Sequence, residues 1–383
     1  MRPEISAKRL MARVFALGEI GALEGGGVCR LALTDADRAG RDWLVAEMEA
    51  LGLSVSIDAI GNIWGIRPGA QDGPPVMIGS HIDSVATGGL YDGALGVLSG
   101  LEVVAALNAA GMQTQRPVAV AAFTNEEGAR FAPDMMGSGV HQGALDLDEM
   151  LATRATDGSA VVGEELERIG YRGTAASIIP AAYLELHVEQ GPVLEQEGIR
   201  IGAVTGVQGI HWTEFTVTGQ TNHAGTTPMA LRRDAGQVAA RIAVAADRIA
   251  AENGPPQVAT VGVFELSPGL VNVVPEQARL TVDLRNTDGA VLEAAGERLL
   301  DEAEAAARAA GCTLSHRPLA RFAPVAFDTG LVGQIEAAAR ARQLSVKRMP
   351  SGAGHDAQMF APNCPTAMIF IPSAKGLSHN INE

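Results

Sequence analysis

Five side chains spread along the chain, His81, Asp92, Glu127, His187 and His379, sit in the local settings that the ligands of a two-metal hydrolytic site need. His81 and Asp92 lie in VMIGSHIDSVATGGLYDGALGVLSGLEVV, where an apolar run ends in Gly-Ser-His-x-Asp and a Gly-rich loop delivers a second Asp just before a long apolar helix. A strand, a loop and a helix in that order make a natural ligand mount. His81 and Asp83 are two apart, so at a strand end they share a face, and Asp83 is placed to orient the imidazole from behind. Asp92 has the chemistry to bridge two cations. In RPVAVAAFTNEEGARF a buried-strand pattern ends in adjacent carboxylates, Glu126 and Glu127, which must point in different directions. Glu127 is assigned as ligand, and Glu126, held off the metal, as the base that takes a proton from water. His187 follows an apolar run in AAYLELHVEQGPVLE, and His379 lies past a strand and a Gly turn in AMIFIPSAKGLSHN. Taken singly, each has a bland reading as a solvated carboxylate or a hydrogen-bonded structural histidine. Together, all five fall at strand ends or in the loops beyond, where open α/β sheets place their ligands. Imidazole and carboxylate without thiolate suit Zn, Mn or Co, and donor type does not choose among them.

The elements that must carry these groups alternate. Helical patterns near 4–20, 35–51 and 93–110 interleave with strand patterns at 53–66, 75–80, 117–123 and 182–187, which predicts a layered α/β sheet. From 208 the pattern changes to HWTEFTVTG, a helix near 232–251, ATVGVFELS, ARLTVDLRN and a long Ala-rich helix near 288–310. Strands with two helices on one face predict an inserted α+β sandwich of the ferredoxin-like sort. A helix near 329–342, then LSVKRM and AMIFI, return the chain to the first sheet. The expected division is therefore a catalytic domain of 1–207 and 324–383 with an insert of 208–323. A length of 383 residues agrees, because one core usually splits beyond about 250 to 300. No internal repeat, low-complexity tail or coiled coil is present.

Composition narrows the function classes. Hydrophobic residues make up 47% but aromatics only 4%, so the core is built mainly from Ala, Val, Leu and Ile. A net charge of −15 argues against nucleic acid or an anionic membrane as partner, since both require a basic surface. Cys29, Cys312 and Cys364 are odd in number and far apart, in no metal-binding spacing, and read as reduced thiols of a cytoplasmic protein. The N-terminal MRPEISAKRLMARVFALGEIG is amphipathic, without the unbroken apolar stretch of a signal peptide or membrane span.

The strings GSHIDSVATGGLYDGALGVL, FTNEEGARF, LELHVEQGPVLE, TGQTNHAGTTPM, VNVVP, LRNT, SGAGHDAQMFA and GLSHN resemble the M20-type metallohydrolases, in particular the hydantoinase/carbamoylase branch. That branch contains N-carbamoyl-L-amino acid hydrolases, β-ureidopropionases and allantoate amidohydrolases. The resemblance implies a catalytic domain with a central mixed sheet flanked by helices, plus an inserted lid and dimerisation domain that closes on substrate. It implies two divalent ions per subunit, Zn2+ or Mn2+ with Co2+ or Ni2+ as alternatives. Asp92 would bridge them, His81 and His187 would hold one, Glu127 and His379 the other, and Glu126 would be the base. His223, alone a surface histidine, would come from the partner of a homodimer to stabilise an oxyanion. Asn272 and Arg285, alone a turn residue and a solvated strand end, would bind the substrate's α-carboxylate, for which a guanidinium offers two parallel donors. Gln190 would touch a ureido group.

In SGAGHDA, Gly352 and Gly354 offer backbone N–H groups to substrate, while His355 and Asp356 open a helix, with an N-cap as the competing role for Asp356. His141, His211 and His316 have no ligand context. The implied reaction cleaves the ureido C–N bond of an N-carbamoyl-L-amino acid to the L-amino acid, carbon dioxide and ammonia. The alternatives are cleavage of allantoate or ureidopropionate, an M20 dipeptidase or carboxypeptidase, which HVEQGP counts against, and a catalytically silent binding protein. Relatives continue past GLSHN through a helix on the catalytic sheet, whereas here INE follows. The expectation is a missing covering layer and a frayed His379.

Overall fold

Strands rich in Val, Ala, Ile and Phe and nearly free of breakers build the central sheet of the first of two units in the computed structural model, which describes residues 3–383. This unit comprises the described residues up to Gly206 together with Ala326–Glu383; the second is Val207–Val325. The first sheet has nine strands. From edge to edge it runs Ser54–Ile57, Ile63–Arg67, Val118–Phe123, Val76–His81, Ala182–Val188, Thr366–Ile371, Ile201–Val207 and Val325–Ala326, with Val346–Ser351 pairing Ile201–Val207. The four middle strands, Val118–Phe123 to Thr366–Ile371, are parallel, and the flanking pairings with Ile63–Arg67 and Ile201–Val207 are antiparallel.

Helix Ala94–Ala109 is apolar on all sides and almost wholly buried, as a helix sandwiched between layers must be. It packs on Val76–His81, Val118–Phe123 and Ala182–Val188, with Ala7–Gly18 against it. Among the parallel strands His81 pairs with Phe123 and Val188 with Ile371, so their carboxyl ends reach one common level.

The single strand expected over 53–66 is a hairpin. Asp58 Oδ1 accepts the N–H groups of Ile60 and Asn62 and closes a tight turn between Ser54–Ile57 and Ile63–Arg67. Helices Met136–His141, Leu147–Leu151, Val162–Ile169 and Val193–Glu197 were not anticipated; at five to eight residues they span too few turns to show a periodicity.

Below the strand ends lies a buried polar frame. Asn62 Oδ1 accepts Thr124 N–H at 2.9 Å, and its Nδ2 donates to Asp58 Oδ2 at 2.8 Å and Gly137 O at 2.9 Å. Arg41 joins the same frame, donating to Gly61 O, Thr124 Oγ1 and Asp37. His141 Nδ1 lies 3.2 Å from Asp58 Oδ2, the structural role expected of it.

The second unit follows the order Gly209–Thr218, helix Ala235–Asn253, Val258–Ser267, Gln277–Asn286, helix Gly289–Ala309, Thr313–Phe322. Its antiparallel sheet runs Thr313–Phe322, Gly209–Thr218, Gln277–Asn286, Val258–Ser267, which is the ferredoxin-like βαββαβ arrangement. Both helices start at an aspartate, Asp234 or Asp288, that accepts first-turn N–H groups. Phe215, Leu280 and Val282 of the sheet meet Val238, Ile242 and Leu299 of the helices. The strand Thr313–Phe322 escaped the sequence reading because TLSHRPLARF carries charges and Pro318 in an edge position, where proline is tolerated.

Replacing Asn62 by Ala strands the Thr124 N–H, Gly137 carbonyl and Asp58 carboxylate in a dry interior. The expected loss is roughly 2 to 4 kcal/mol, read from urea denaturation. An unchanged midpoint would show that the frame does not hold the strand ends.

Candidate metal centre

The parallel strands deliver the five expected ligands of the first unit to one cleft. His81 ends Val76–His81 and His187 lies one residue before the end of Ala182–Val188; both are buried. Each Nδ1 faces a main-chain carbonyl, Asp83 O at 3.0 Å for His81 and Val188 O at 2.9 Å for His187. A carbonyl can only accept, so Nδ1 carries the proton and Nε2 is left as a donor atom for a metal. Asp92 stands between two groups. Its Oδ1 lies 3.1 Å from His187 Nε2 and 3.7 Å from His81 Nε2, and its Oδ2 lies 3.6 Å from His379 Nε2. His379 Nε2 is in turn 3.2 Å from Glu127 Oε2. His81, Asp92 and His187 form one cluster able to hold an ion, and Asp92, Glu127 and His379 form another.

Local backbone makes these placements. At Gly93 φ is +62°, and a Cβ there would sit 2.3 Å from the His81 ring, so only glycine lets the Asp92 loop pass the imidazole. Asn125, in the left-handed region at φ +54°, donates through Nδ2 to Phe131 O and Pro133 O and fixes the turn that presents Glu126 and Glu127. Asp83 has a different task from the one expected of its side chain. Its main-chain oxygen orients His81, while its carboxylate, 3.8 Å from Nδ1, accepts the N–H groups of Glu126 and Glu127 at 3.2 and 3.4 Å. His379 is half-exposed but held in a turn, with its carbonyl accepting from Thr87 Oγ1.

The remaining expected residues divide. Gln190 Nε2 donates to Asp92 Oδ2 at 3.0 Å, its N–H donates to Ser373 Oγ, and its Oε1 is buried with no hydrogen-bond partner. It therefore steadies the Asp92 carboxylate as well as lining the cleft. Gly354 and His355 line the same cleft of about 120 Å3, with Asp92, Glu126, Glu127, His187 and His379. His355 Nε2 is 2.9 Å from Ser351 Oγ; His355 occupies the N-cap position of the following helix without a side-chain capping bond, and Asp356 is that helix's first residue, not its cap. Ser378, Ser373 and Asn125 support the site and were not singled out in the sequence; lone polar residues in loops carry no spacing signal.

In the second unit, His223 and Asn272 come together. His223 pairs with Val273, and Ala224 N–H donates to Asn272 O at 2.9 Å. His223 Nδ1 accepts from Gly225 and Thr226 N–H at 3.1 and 3.2 Å, which leaves the proton of the neutral ring on the exposed Nε2. Arg285 is not with them. It lies eight residues along Gln277–Asn286 from the end that adjoins the Asn272 turn, roughly 26 Å at about 3.3 Å per residue. Its guanidinium is engaged by Asp283, with Nη2 to Oδ2 at 2.8 Å, and lies over Trp212. The expected Asn272–Arg285 pair is thus split between opposite ends of one sheet.

The electrostatics ask for cations. Burial pushes the Glu126 carboxyl well above its ordinary range, reinforced by Asp356 and Glu127. Asp83 is pushed up to about 6 by burial. Burial acts against charge on Asp92 too, but His187, His81 and His379 hold it low. Burial pulls His187 down, yet Asp92 and Glu185 raise it to about 9. Glu127 raises His379 to about 9. Glu127 Oε1 is buried without a partner. Acceptor oxygens and imidazole Nε2 atoms converging on one place, with an orphaned carboxylate oxygen among them, fit two divalent ions of the Zn, Mn or Co type.

The model of peptidase family M20/M25/M40 matches residues 77–383. The chain belongs to the M20 family, in its hydantoinase/carbamoylase branch. An N-carbamoyl-L-amino-acid amidohydrolase of Rhizobium meliloti is 43% identical over 382 residues, covering 99% of this chain and 92% of that one. The crystal structure of an amidase of the hydantoinase/carbamoylase family from Burkholderia multivorans superposes with a TM-score of 0.97 at 43% identity, covering 100% of this chain and 93% of that one. The allantoate amidohydrolase of Escherichia coli is 35% identical over 372 residues, covering 96% of this chain and 90% of that one. Among the described residues, no helix of this M20 member is long and apolar enough to cross a membrane.

With His187 and His379 both raised to about 9, the two imidazoles carry protons at pH 7 in the metal-free protein, and a cation must displace them. Calorimetric titration of metal-free protein with Zn2+ at pH 7 should therefore show proton release, seen as a heat that depends on the buffer's ionisation enthalpy. A buffer-independent heat would contradict this electrostatic description.

Proposed function

We propose that this chain is an N-carbamoyl-L-amino acid amidohydrolase that works with two divalent ions and cleaves the ureido C–N bond. The observation that carries the reading is the place of Glu126. It is buried beside the two ligand clusters without belonging to either, Oε2 3.3 Å from His81 Nε2, with a carboxyl whose proton affinity its surroundings raise. A carboxylate so placed is a general base within reach of water at the centre. The similarity to the Rhizobium meliloti enzyme supports the substrate class.

Bound at the two clusters, divalent ions would supply Lewis-acid polarisation of the ureido carbonyl and acidify water. Glu126 accepts a proton from the water as its oxygen adds to the ureido carbon. The same carboxyl then gives that proton to the α-nitrogen as the C–N bond breaks. The free amino acid leaves, and the carbamic acid left behind falls apart to carbon dioxide and ammonia. Gln190 Oε1, a buried acceptor in want of a donor, suits the terminal NH2 of a ureido group. His223 Nε2–H suits a developing oxyanion, a contact that supplies about 3 to 4 kcal/mol per donor. Arg285, oriented by Asp283 and Trp212, suits an α-carboxylate.

His223 with Asn272 at one end of a sheet, and Arg285 at the other, can serve one substrate only if two copies of the chain contribute to each site. That separation supports a homodimer, as does the apolar edge strand Val258–Ser267, whose Val258, Phe264 and Leu266 are exposed. The second unit then acts as the lid and dimerisation domain. Three unpaired cysteines suit a cytoplasmic setting. Allantoate cleavage is the second reading, supported by the Escherichia coli relative.

The test is a panel of N-carbamoyl-L-amino acids, allantoate, ureidopropionate and dipeptides offered to the metal-loaded enzyme. The highest kcat/KM should fall on a carbamoyl amino acid, and Glu126→Gln should lower kcat by about 10^2- to 10^4-fold while two ions stay bound. Preference for allantoate would move the chain to the second reading, and near-normal turnover by Glu126→Gln would remove the base.

A further inference from the structure

The last five residues fold back over the loop that carries the bridging ligand. Glu383 Oε1 accepts the Asp92 main-chain N–H at 2.9 Å, a contact across 291 positions of sequence. Its other oxygen, Oε2, is buried and has no hydrogen-bond partner. The loop is shaped to receive it. A Cβ at Gly89 would sit 2.4 Å from Glu383 Cβ, so that position admits no side chain without displacing this segment; at Gly27 a Cβ would meet Gly88 O at 2.4 Å as well as Ile381 Cα at 2.7 Å. The turn itself is closed by Glu383 N–H donating to Asn380 O and Asn382 N–H donating to Asn380 Oδ1. At its start stands His379, whose carbonyl accepts from Thr87 Oγ1 in the same loop.

A carboxylate is a costly group to bury, and water would satisfy a loop N–H as well. A half-buried carboxyl with one oxygen shut off from water and the other on a single backbone N–H is explained by what that N–H belongs to. Asp92 is the residue whose two oxygens must face two clusters at once, so a small rotation of its backbone would misplace both. We propose that Glu383 is a positioning residue for the centre: it locks the Asp92 backbone to the turn that presents His379, and so sets the spacing of two ligands that lie far apart in sequence. The inference rests on the reading of Asp92 and His379 as ligands. Glu383 touches neither substrate nor reacting atoms.

The test is calorimetric titration of metal-free protein with Mn2+ and with Zn2+, on the unsubstituted chain, Glu383→Ala and Glu383→Gln, with the melting temperature of each metal-free protein as the second readout. Glu383→Ala should weaken binding of at least one ion by about 10- to 100-fold, the usual effect of removing a group that orients a ligand. Glu383→Gln keeps a carbonyl oxygen for the Asp92 N–H and should recover most of that loss. If Glu383→Ala binds both ions as the unsubstituted chain does, the inference is wrong while the metal centre stands. A lower melting temperature with unchanged affinities would reduce Glu383 to a structural contact and likewise overturn it. Failure of the unsubstituted chain to bind either ion would overturn the metal centre and this inference together.

Discussion

The organising constraint of this molecule is the burial of like charges. Asp83, Asp92, Glu126, Glu185 and Asp356 are all buried around one small cleft, Glu127 reaches into it, and among the described residues no Lys or Arg lines it. Two carboxylates 4 Å apart in a medium of intermediate polarity repel by about 4 kcal/mol, so a cluster of this size cannot remain fully ionised on its own. The chain responds by raising Glu126, Asp83 and Asp356 and by placing imidazoles against Asp92 and Glu127. Divalent cations resolve the same conflict more completely. In the proposed reading, bound cations would relieve that pressure and leave Glu126 ionised, able to take a proton from water and pass it to a leaving nitrogen.

What holds these charges together is the sheet beneath them. Parallel strands bring His81, the Glu126–Glu127 turn and His187 to one level, and the Asn62–Asp58–Arg41 frame anchors the strand ends through backbone groups. The loops above are fixed by contacts of long sequence range: Gln190 and Ser378 on the Asp92 carboxylate, Glu383 on its N–H. Asp92 is thus held from three directions, as befits the one residue that both clusters share.

Much of this was legible in the sequence, and for a physical reason. A candidate ligand at a strand end announces itself locally, as a charged or imidazole side chain at or just beyond the end of an apolar run; His81, Glu127 and His187 all do so. Long elements such as Ala94–Ala109 and Gly289–Ala309 have enough turns for their pattern to be read. The short helices between residues 136 and 197 do not. Residues that act on distant backbone leave no local mark either. Asn62 looks like a turn residue, Glu383 like a solvated acid, and the Asp83 carboxylate serves the turn at Glu126, 43 positions away, in place of its neighbour His81. The separation of Asn272 from Arg285 was equally hidden, since it depends on the strand order of the second sheet.

The central claim is that Asp92 stands between two metal ions. Anomalous diffraction from crystals grown with excess Zn2+ tests it directly. Two peaks are expected, about 3.5 to 4 Å apart as in other two-metal sites, one against His81 and His187 and the other against Glu127 and His379, with an Asp92 oxygen on each. A single peak, or ions bound elsewhere with the Asp92 carboxylate turned away from them, would contradict the account.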